Sequence, residues 1–239
     1  MFNGTVLCVQ RSEAVRYAAR CLTGIGMQLA DKCAPDVTHV LLPVPSFTGG
    51  DEYLAHLLTQ LPDDVIISGG NLTSPLLEGY RCVDFLRDPY YLADNAAITA
   101  ECAIRILENQ LKTELPGKQV LVIGWGRIGK CLSRLLRQMG AKVTVCARKA
   151  KDRNILSAMG YDAVDFHEVD LSAYKVVYNT APTMVFPTCP GNGLKIDLAS
   201  RLGLGSPDVI WARGLPGKDA PESSGKLIAK TLIPIFRKE

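Results

Sequence analysis

Val120-Leu121-Val122-Ile123-Gly124-Trp125-Gly126-Arg127-Ile128-Gly129 is the stretch whose reading decides the fold. Four apolar residues in a row read as a buried strand. Glycines at GxGxxG spacing follow, and Ile128, Leu132, Leu135, Leu136 and Met139 then recur at helical spacing. The glycine spacing alone is a weak signal, but between a strand and a helix it is a much stronger one. Gly124 is expected to permit the tight turn, Gly126 to let the backbone approach a pyrophosphate, and Gly129 to let helix and strand pack closely. The helix start offers N–H groups and a positive dipole to the anion. Trp125, Arg127 and Ile128 complete the loop and join the glycines as candidate cofactor-binding residues.

Working outward, the segments around Val143-Thr144-Val145, Val176-Val177-Tyr178, Leu194-Lys195-Ile196 and Val209-Ile210-Trp211 read as further strands. With helices or loops between them they make a doubly wound, Rossmann-type domain over residues 117–219. Cofactor choice in such a domain is set about 20 residues past the loop, where a carboxylate binds the ribose 2′-hydroxyl of NAD. Here the sequence is Cys146-Ala147-Arg148-Lys149. The fork of Arg148 and the charge of Lys149 suit a 2′-phosphate, which favours NADP and leaves NAD open. Ligands bind beyond the carboxyl ends of the strands, so Asn179, Thr180, Ala181 and Pro182 are expected at the cofactor. Asn179 also reads as a turn former.

Residues 1–93 alternate strand and helix signals and are expected to form a small parallel α/β lobe. Val6 to Val9, His39 to Leu42 and Val65 to Ile67 read as strands, the last ending in Gly69-Gly70. Ser12 caps a helix with Val15, Ala18, Ala19 and Leu22 on one face, and Leu54, Leu57, Leu58 and Leu61 form a second stripe. Asp88-Pro89 reads as a helix entry, and a helix over 94–116, with Ala97, Ala100, Ile104, Leu107 and Leu111 on a face, is expected to bridge the lobes. A closing helix over 220–239 carries Pro234 and is expected to pack back on the first lobe.

Hydrophobic residues make up 47% of the 239 residues and charged residues 21%, an ordinary balance for a globular chain with a core. A net charge of +3 with scattered cations argues against nucleic acid. No apolar run reaches the roughly 20 residues of a membrane span, and the start Met1-Phe2-Asn3 lacks a signal pattern, so a cytoplasmic protein is expected. The cysteines Cys8, Cys21, Cys33, Cys82, Cys102, Cys131, Cys146 and Cys189 form no CxxC pair, and with only His39, His56 and His167 beside them no metal site is expected.

The chain resembles the A-subunit family of bacterial dipicolinate synthase. The matching segments are Asp94 to Glu101, Gly124 to Gly129, Gly140 to Val143 with Ala147-Arg148, Asn179 to Pro182, Ile196 to Arg201, and Gly214 to Lys218 with Ala220-Pro221. The chain is shorter than is usual in that family, and Leu202-Gly203-Leu204-Gly205 stands where the family pattern has Pro-Gly-Gly. The resemblance implies oxidation of dihydrodipicolinate to dipicolinate in a spore-forming bacterium, by hydride transfer to a nicotinamide cofactor. It also implies a partner, the flavoprotein-like B subunit of dipicolinate synthase, and a homo-oligomer stays open.

A dicarboxylate substrate needs cationic or N–H partners, for which Ser200, Arg201 and Lys218, in loops after the fourth and fifth strands, are the candidates. Asn95 and Thr99 recur at helical spacing and are expected to face a cleft between the lobes. Glu101 is a candidate proton acceptor, although Arg105 is suitably spaced for a helix ion pair. Two other readings compete: a 2-hydroxyacid or shikimate type of dehydrogenase, and a non-catalytic NADP-binding subunit. The first polarises a carbonyl with a His or Lys paired to a carboxylate, and His167 reads as lying away from the cleft.

Overall fold

The computed structural model describes residues 4–9, 12–46 and 51–236. Residues 1–3, and 237–239 of the expected closing helix, lie outside the described residues. The chain divides into two compact units, Met1–Asn95 with Pro216–Glu239, and Ala96–Leu215.

The first unit is built on a parallel sheet. In chain order its elements are β1 (Thr5–Cys8), α1 (Glu13–Gly24), β2 (Gln28–Ala30), β3 (Val37–Leu41), α2 (Glu52–Leu58), β4 (Ile66–Gly69) and β5 (Arg81–Asp84). The strand order is β2-β1-β3-β4-β5. The Ser12 hydroxyl accepts from Val15 N at 3.3 Å, so the predicted cap holds. Leu7, Val40, Leu42, Leu54, Leu57 and Ile67 meet in its core. Two strands escaped the sequence reading. β2 and β5 lie at the sheet edges with much of their surface in solvent, so neither carries the apolar run by which a buried strand is recognised.

Helix α3 spans Pro89–Gln110, so the entry read at Asp88-Pro89 holds, while the helix ends before the 116 expected for the bridging segment. The Asp88 carboxylate accepts from Tyr90 N at 2.8 Å and starts it at the proline, a residue suited to a first turn. Leu111 lies just past its end, with its N–H still bonded to Leu107 O at 2.7 Å. Ala100, Ile104 and Leu107 of the expected stripe are buried, joined by Ala96 and Ala103, while Ala97 and Leu111 are only partly buried.

The second unit holds a six-stranded parallel sheet: β6 (Gln119–Ile123), α4 (Arg127–Gln138), β7 (Lys142–Cys146), α5 (Ala150–Ala158), β8 (Asp162–Val164), β9 (Val176–Asn179), β10 (Leu194–Asp197) and β11 (Ile210–Trp211). The order β11-β10-β9-β6-β7-β8 is the doubly wound Rossmann arrangement. The chain leaves β6 towards one edge and returns to β9 on its other side, so the switch point lies between β6 and β9. Val120 to Ile123 are fully buried between flanking layers. β8 is the strand the sequence reading missed; Asp162-Ala163-Val164 is short, polar at its start and at the sheet edge.

After α6 (Leu215–Asp219), helix α7 (Pro221–Phe236) packs against α1 inside the first unit. Its buried residues include Ile228, Leu232 and Phe236, and Phe236 takes the place expected for Ile235, with its ring edge-on to His39 at 4.4 Å. A Cβ on Gly225 would strike Ala14 O and come within 2.5 Å of Tyr17 Cβ, so the two helices touch backbone to backbone there. Alanine is the better helix former by about 1 kcal/mol, so Gly225→Ala should stabilise an isolated α7. In the folded unit overpacking should win, with a net loss of about 1–2 kcal/mol in chemical denaturation. A more stable variant would show that α1 and α7 are less tightly apposed.

Candidate functional site

The phosphate loop is shaped by contacts that leave no room for side chains. Gly124 has φ +101, in the left-handed region, and a Cβ there would come 2.5 Å from Thr180 Oγ1. A Cβ on Gly129 would run into Gly124 O. Gly126 differs, since a Cβ there would meet nothing within 4 Å. Its lack of a side chain answers no need of the protein's own packing.

The start of α4 has the same one-sidedness. Gly126 caps it without a side-chain hydrogen bond, and its first turn holds no acidic residue. Arg127 and Lys130 add positive charge to an end that is already the positive pole of the helix dipole. Lys130 Nζ lies 5.7 Å from the centre of the Trp125 ring, which takes up part of that charge. An anion at the uncapped N–H groups would balance the rest.

A cavity of about 610 Å³ opens beside this loop. It is lined by the segments that follow four parallel strands: Gly124 and Trp125 after β6, Ala147 to Lys149 after β7, Asp165 to His167 after β8, and Ala181 to Val185 after β9. Asp152 adds a carboxylate from the first turn of α5. The volume is that of a site for a small organic ligand or cofactor. Arg148 and Lys149 are exposed on its wall. His167, which follows β8, lines this cavity of the second unit together with Asp165 and Phe166. Because β8 carries no apolar run, the sequence does not mark these three as a loop at the carboxyl end of a strand. Thr183 and Met184 were also missed, since nothing in their residue types marks them.

Behind the cavity wall lies a buried polar node. Asn179 and Asp197, at the ends of neighbouring strands β9 and β10, are both 0% exposed. Asn179 Nδ2 donates to Asp197 Oδ2 at 3.0 Å and to Ala181 O at 3.1 Å, while its Oδ1 accepts from Ala181 N at 3.0 Å. Asp197 also accepts from Ala199 N at 2.9 Å and Gly203 N at 2.7 Å. The Asn179 side chain is therefore sealed and spent on shaping the loop after β9, not turned to a ligand. Thr180 is similar: its hydroxyl donates to Ile123 O at 2.8 Å. Ala181 and Pro182, further along, do line the cavity.

The node also explains Leu202-Gly203-Leu204-Gly205. A Cβ on Gly203 would strike Asn179 Nδ2 and lie 2.5 Å from Thr183 O. Gly203 O accepts from Val185 N and Phe186 N, and Leu204 bridges Phe186 and is fully buried. The segment is thus anchored to the loop after β9. Ser200 and Arg201 stand exposed just before it.

The remaining predicted residues are more scattered. Asn95 is half-buried, Thr99 buried and Glu101 exposed, all on α3. Lys218 is exposed on α6, a short helix where a loop was expected, and it falls in the first unit while Ser200 and Arg201 fall in the second. Burial, and then the charge of Asp165, push the Cys146 thiol up to about 12, so it is protonated and inert at neutral pH. Among the described residues no cluster of three or more His, Cys, Asp or Glu could hold a metal ion, and no helix is long and apolar enough to cross a membrane.

By strand order and phosphate loop, the second unit is a Rossmann-type dinucleotide-binding domain, and residues 97–184 match the family "D-isomer specific 2-hydroxyacid dehydrogenase, NAD binding domain". That match supports a nicotinamide cofactor and an oxidoreductase. In sequence the chain is similar to the dipicolinate synthase A subunit of Bacillus subtilis (strain 168), with 31% identity over a region covering 59% of this chain and 53% of the relative. The matched region thus spans about half the length of that relative. In structure it is similar to the dipicolinate synthase A subunit from Bacillus halodurans, with a TM-score of 0.82 at 21% identity, covering 99% of each chain. The corresponding dipicolinate synthase structure from Bacillus subtilis follows, with a TM-score of 0.78 at 21% identity, covering 98% of this chain and 96% of that one. At that identity the structural likeness speaks for the fold. The resemblance read from the residues is found in sequence and fold alike.

Removing the carboxylate of the buried node tests how much the strand ends depend on it. Asp197→Ala leaves the Ala199 and Gly203 N–H groups without their acceptor and removes one of the two acceptors of Asn179 Nδ2, and should cost about 3 kcal/mol or more in urea denaturation. A loss under about 1 kcal/mol, the range of ordinary surface changes, would show that the node is not needed.

Proposed function

We propose that this chain is an NADP-preferring oxidoreductase that converts dihydrodipicolinate to dipicolinate, acting in the cytoplasm as the dinucleotide-binding half of a two-subunit enzyme. The observation that carries the cofactor half is the uncapped, cation-flanked start of α4, preceded by Gly124 and Trp125, which line the same cavity as Arg148 and Lys149. The substrate half rests on the sequence likeness to the dipicolinate synthase A subunit.

The N–H groups from Gly126 to Gly129 hold the pyrophosphate, with the dipole of α4 behind them. Arg148 binds the 2′-phosphate through its fork and Lys149 adds a point charge. Trp125, Ala147 and the chain from Ala181 to Pro182 give the cavity its apolar walls. When bound, the nicotinamide supplies the acceptor for a hydride. The substrate loses that hydride and one proton and becomes an aromatic pyridine, so the reaction demands neither an activated nucleophile nor a metal. Within the second unit, Ser200 and Arg201 are the groups for the carboxylates, Thr99 for orienting the ring and Glu101 for the proton; in the first unit, Lys218 and Asn95 are the candidates for the same tasks.

A second reading, a 2-hydroxyacid dehydrogenase, is favoured by the match over residues 97–184. The two are separated by supplying the purified chain, alone and with a candidate second subunit, with NADP and either dihydropyridine dicarboxylate or a panel of 2-hydroxy acids. Formation of a pyridine dicarboxylate with matching NADPH is the expected result. Turnover of 2-hydroxy acids alone would overturn the substrate, and cofactor binding without turnover of any of them would leave a non-catalytic subunit. Arg148→Ala should weaken NADP by about 10- to 100-fold and NAD little, the size of a lost charge-assisted contact. Equal weakening of both would remove Arg148 from the 2′-phosphate.

A further inference from the structure

Charge on the cavity wall is not what the exposed cations alone suggest. Arg148 and Lys149 share the lining with Asp152, Asp165 and His167, so two carboxylates face the space offered to a 2′-phosphate. Asp165 does not act there as a free anion. Arg153, on α5 and outside the lining, places Nη1 2.6 Å from Asp165 Oδ2, and the two side chains are only 25% and 22% exposed. The same Nη1 donates to Ala147 O at 2.8 Å and Arg148 O at 3.0 Å. Asp165 Oδ1 meanwhile accepts from His167 N at 3.2 Å, which fixes the carboxylate from its other side.

We propose that Arg153 is a positioning residue for cofactor choice: by neutralising Asp165 and holding the Ala147-Arg148 backbone, it keeps this part of the cavity net cationic and selective for NADP. The inference rests on the cofactor reading above. Asp165, at the end of β8, is an acidic residue at the mouth of the cavity whose charge is cancelled by its neighbour. Without that cancellation a half-buried carboxylate would repel the 2′-phosphate at short range, where solvent screens poorly. The ribose hydroxyl of NAD, able to donate to a carboxylate, would suffer no such penalty.

Isothermal titration of NADP and NAD into the purified chain reads the preference directly, without turnover. Arg153→Gln keeps an N–H donor for the two carbonyls and removes the charge, and should lower the NADP:NAD affinity ratio by about tenfold. Arg153→Lys should keep the wild-type ratio. Asp165→Asn alone should raise the ratio by about threefold, since the charge of Arg153 just behind the wall is then uncompensated. Combined with Arg153→Gln it should restore the ratio to near the wild-type value. A ratio unchanged in Arg153→Gln, or a double variant no better than Arg153→Gln, overturns the inference while leaving the cofactor reading intact. If Arg153→Gln does not fold, an unchanged ratio in Asp165→Asn is equally contrary. A wild-type chain that binds neither dinucleotide, or favours NAD, overturns the cofactor reading and this inference with it.

Discussion

Gly129 has no side chain because the place of its Cβ is already taken by the carbonyl oxygen of Gly124. That close approach folds the end of β6 directly into α4, while Gly124 N bonds Cys146 O at the end of β7 and Thr180 N bonds Ile123 O from beyond β9. Three strand ends are thus tied around one turn. The helix start therefore points its unbonded N–H groups at a fixed place, between the two strands where the winding of the sheet reverses. The cavity, the charged wall and the proposed chemistry all depend on that turn.

Around it, polar groups take two distinct parts. Those at the strand ends facing inward, Asn179, Thr180 and Asp197, are used up on one another and on backbone. They hold the loops after β9 and β10 at set distances, which lets a segment as irregular as Leu202 to Gly205 be ordered without secondary structure. Those facing the cavity, Arg148, Lys149, Asp152 and Asp165, bring both signs of charge to its wall, and Arg153 pairs with one of them. A residue of the first sort is expected to act through stability, and the proposal gives those of the second a part in ligand choice.

Much of the fold was legible because buried parallel strands announce themselves. Val120 to Ile123, Val143 to Val145 and Val176 to Tyr178 each pack on both faces, and each reads as an apolar run. The edge strands β2, β5 and β8 do not, since one flank meets solvent and a short polar sequence suffices there. Missing β8 had a cost for the site: Asp165 and His167 were not seen to line the same cavity as Arg148, which the spacing from the glycine loop had singled out. Asn179 was noticed for the right position, yet its sealed environment depends on Asp197 and Gly203, far along the chain. No local pattern reveals such a pairing. On α3 the stripe was legible at Ala100, Ile104 and Leu107, but Ala96 and Ala97 are alike in sequence and only packing tells them apart.

The central claim is that the turn at Gly124 to Gly129 receives the pyrophosphate of a nicotinamide dinucleotide. Amide hydrogen exchange of the full chain with and without NADP tests it most directly. Slowed exchange is predicted at the backbone from Gly126 to Gly129, with smaller effects at Ala147 to Lys149 and Asp165 to His167. Unchanged exchange at the turn with saturating NADP, or protection confined to other segments, would contradict it.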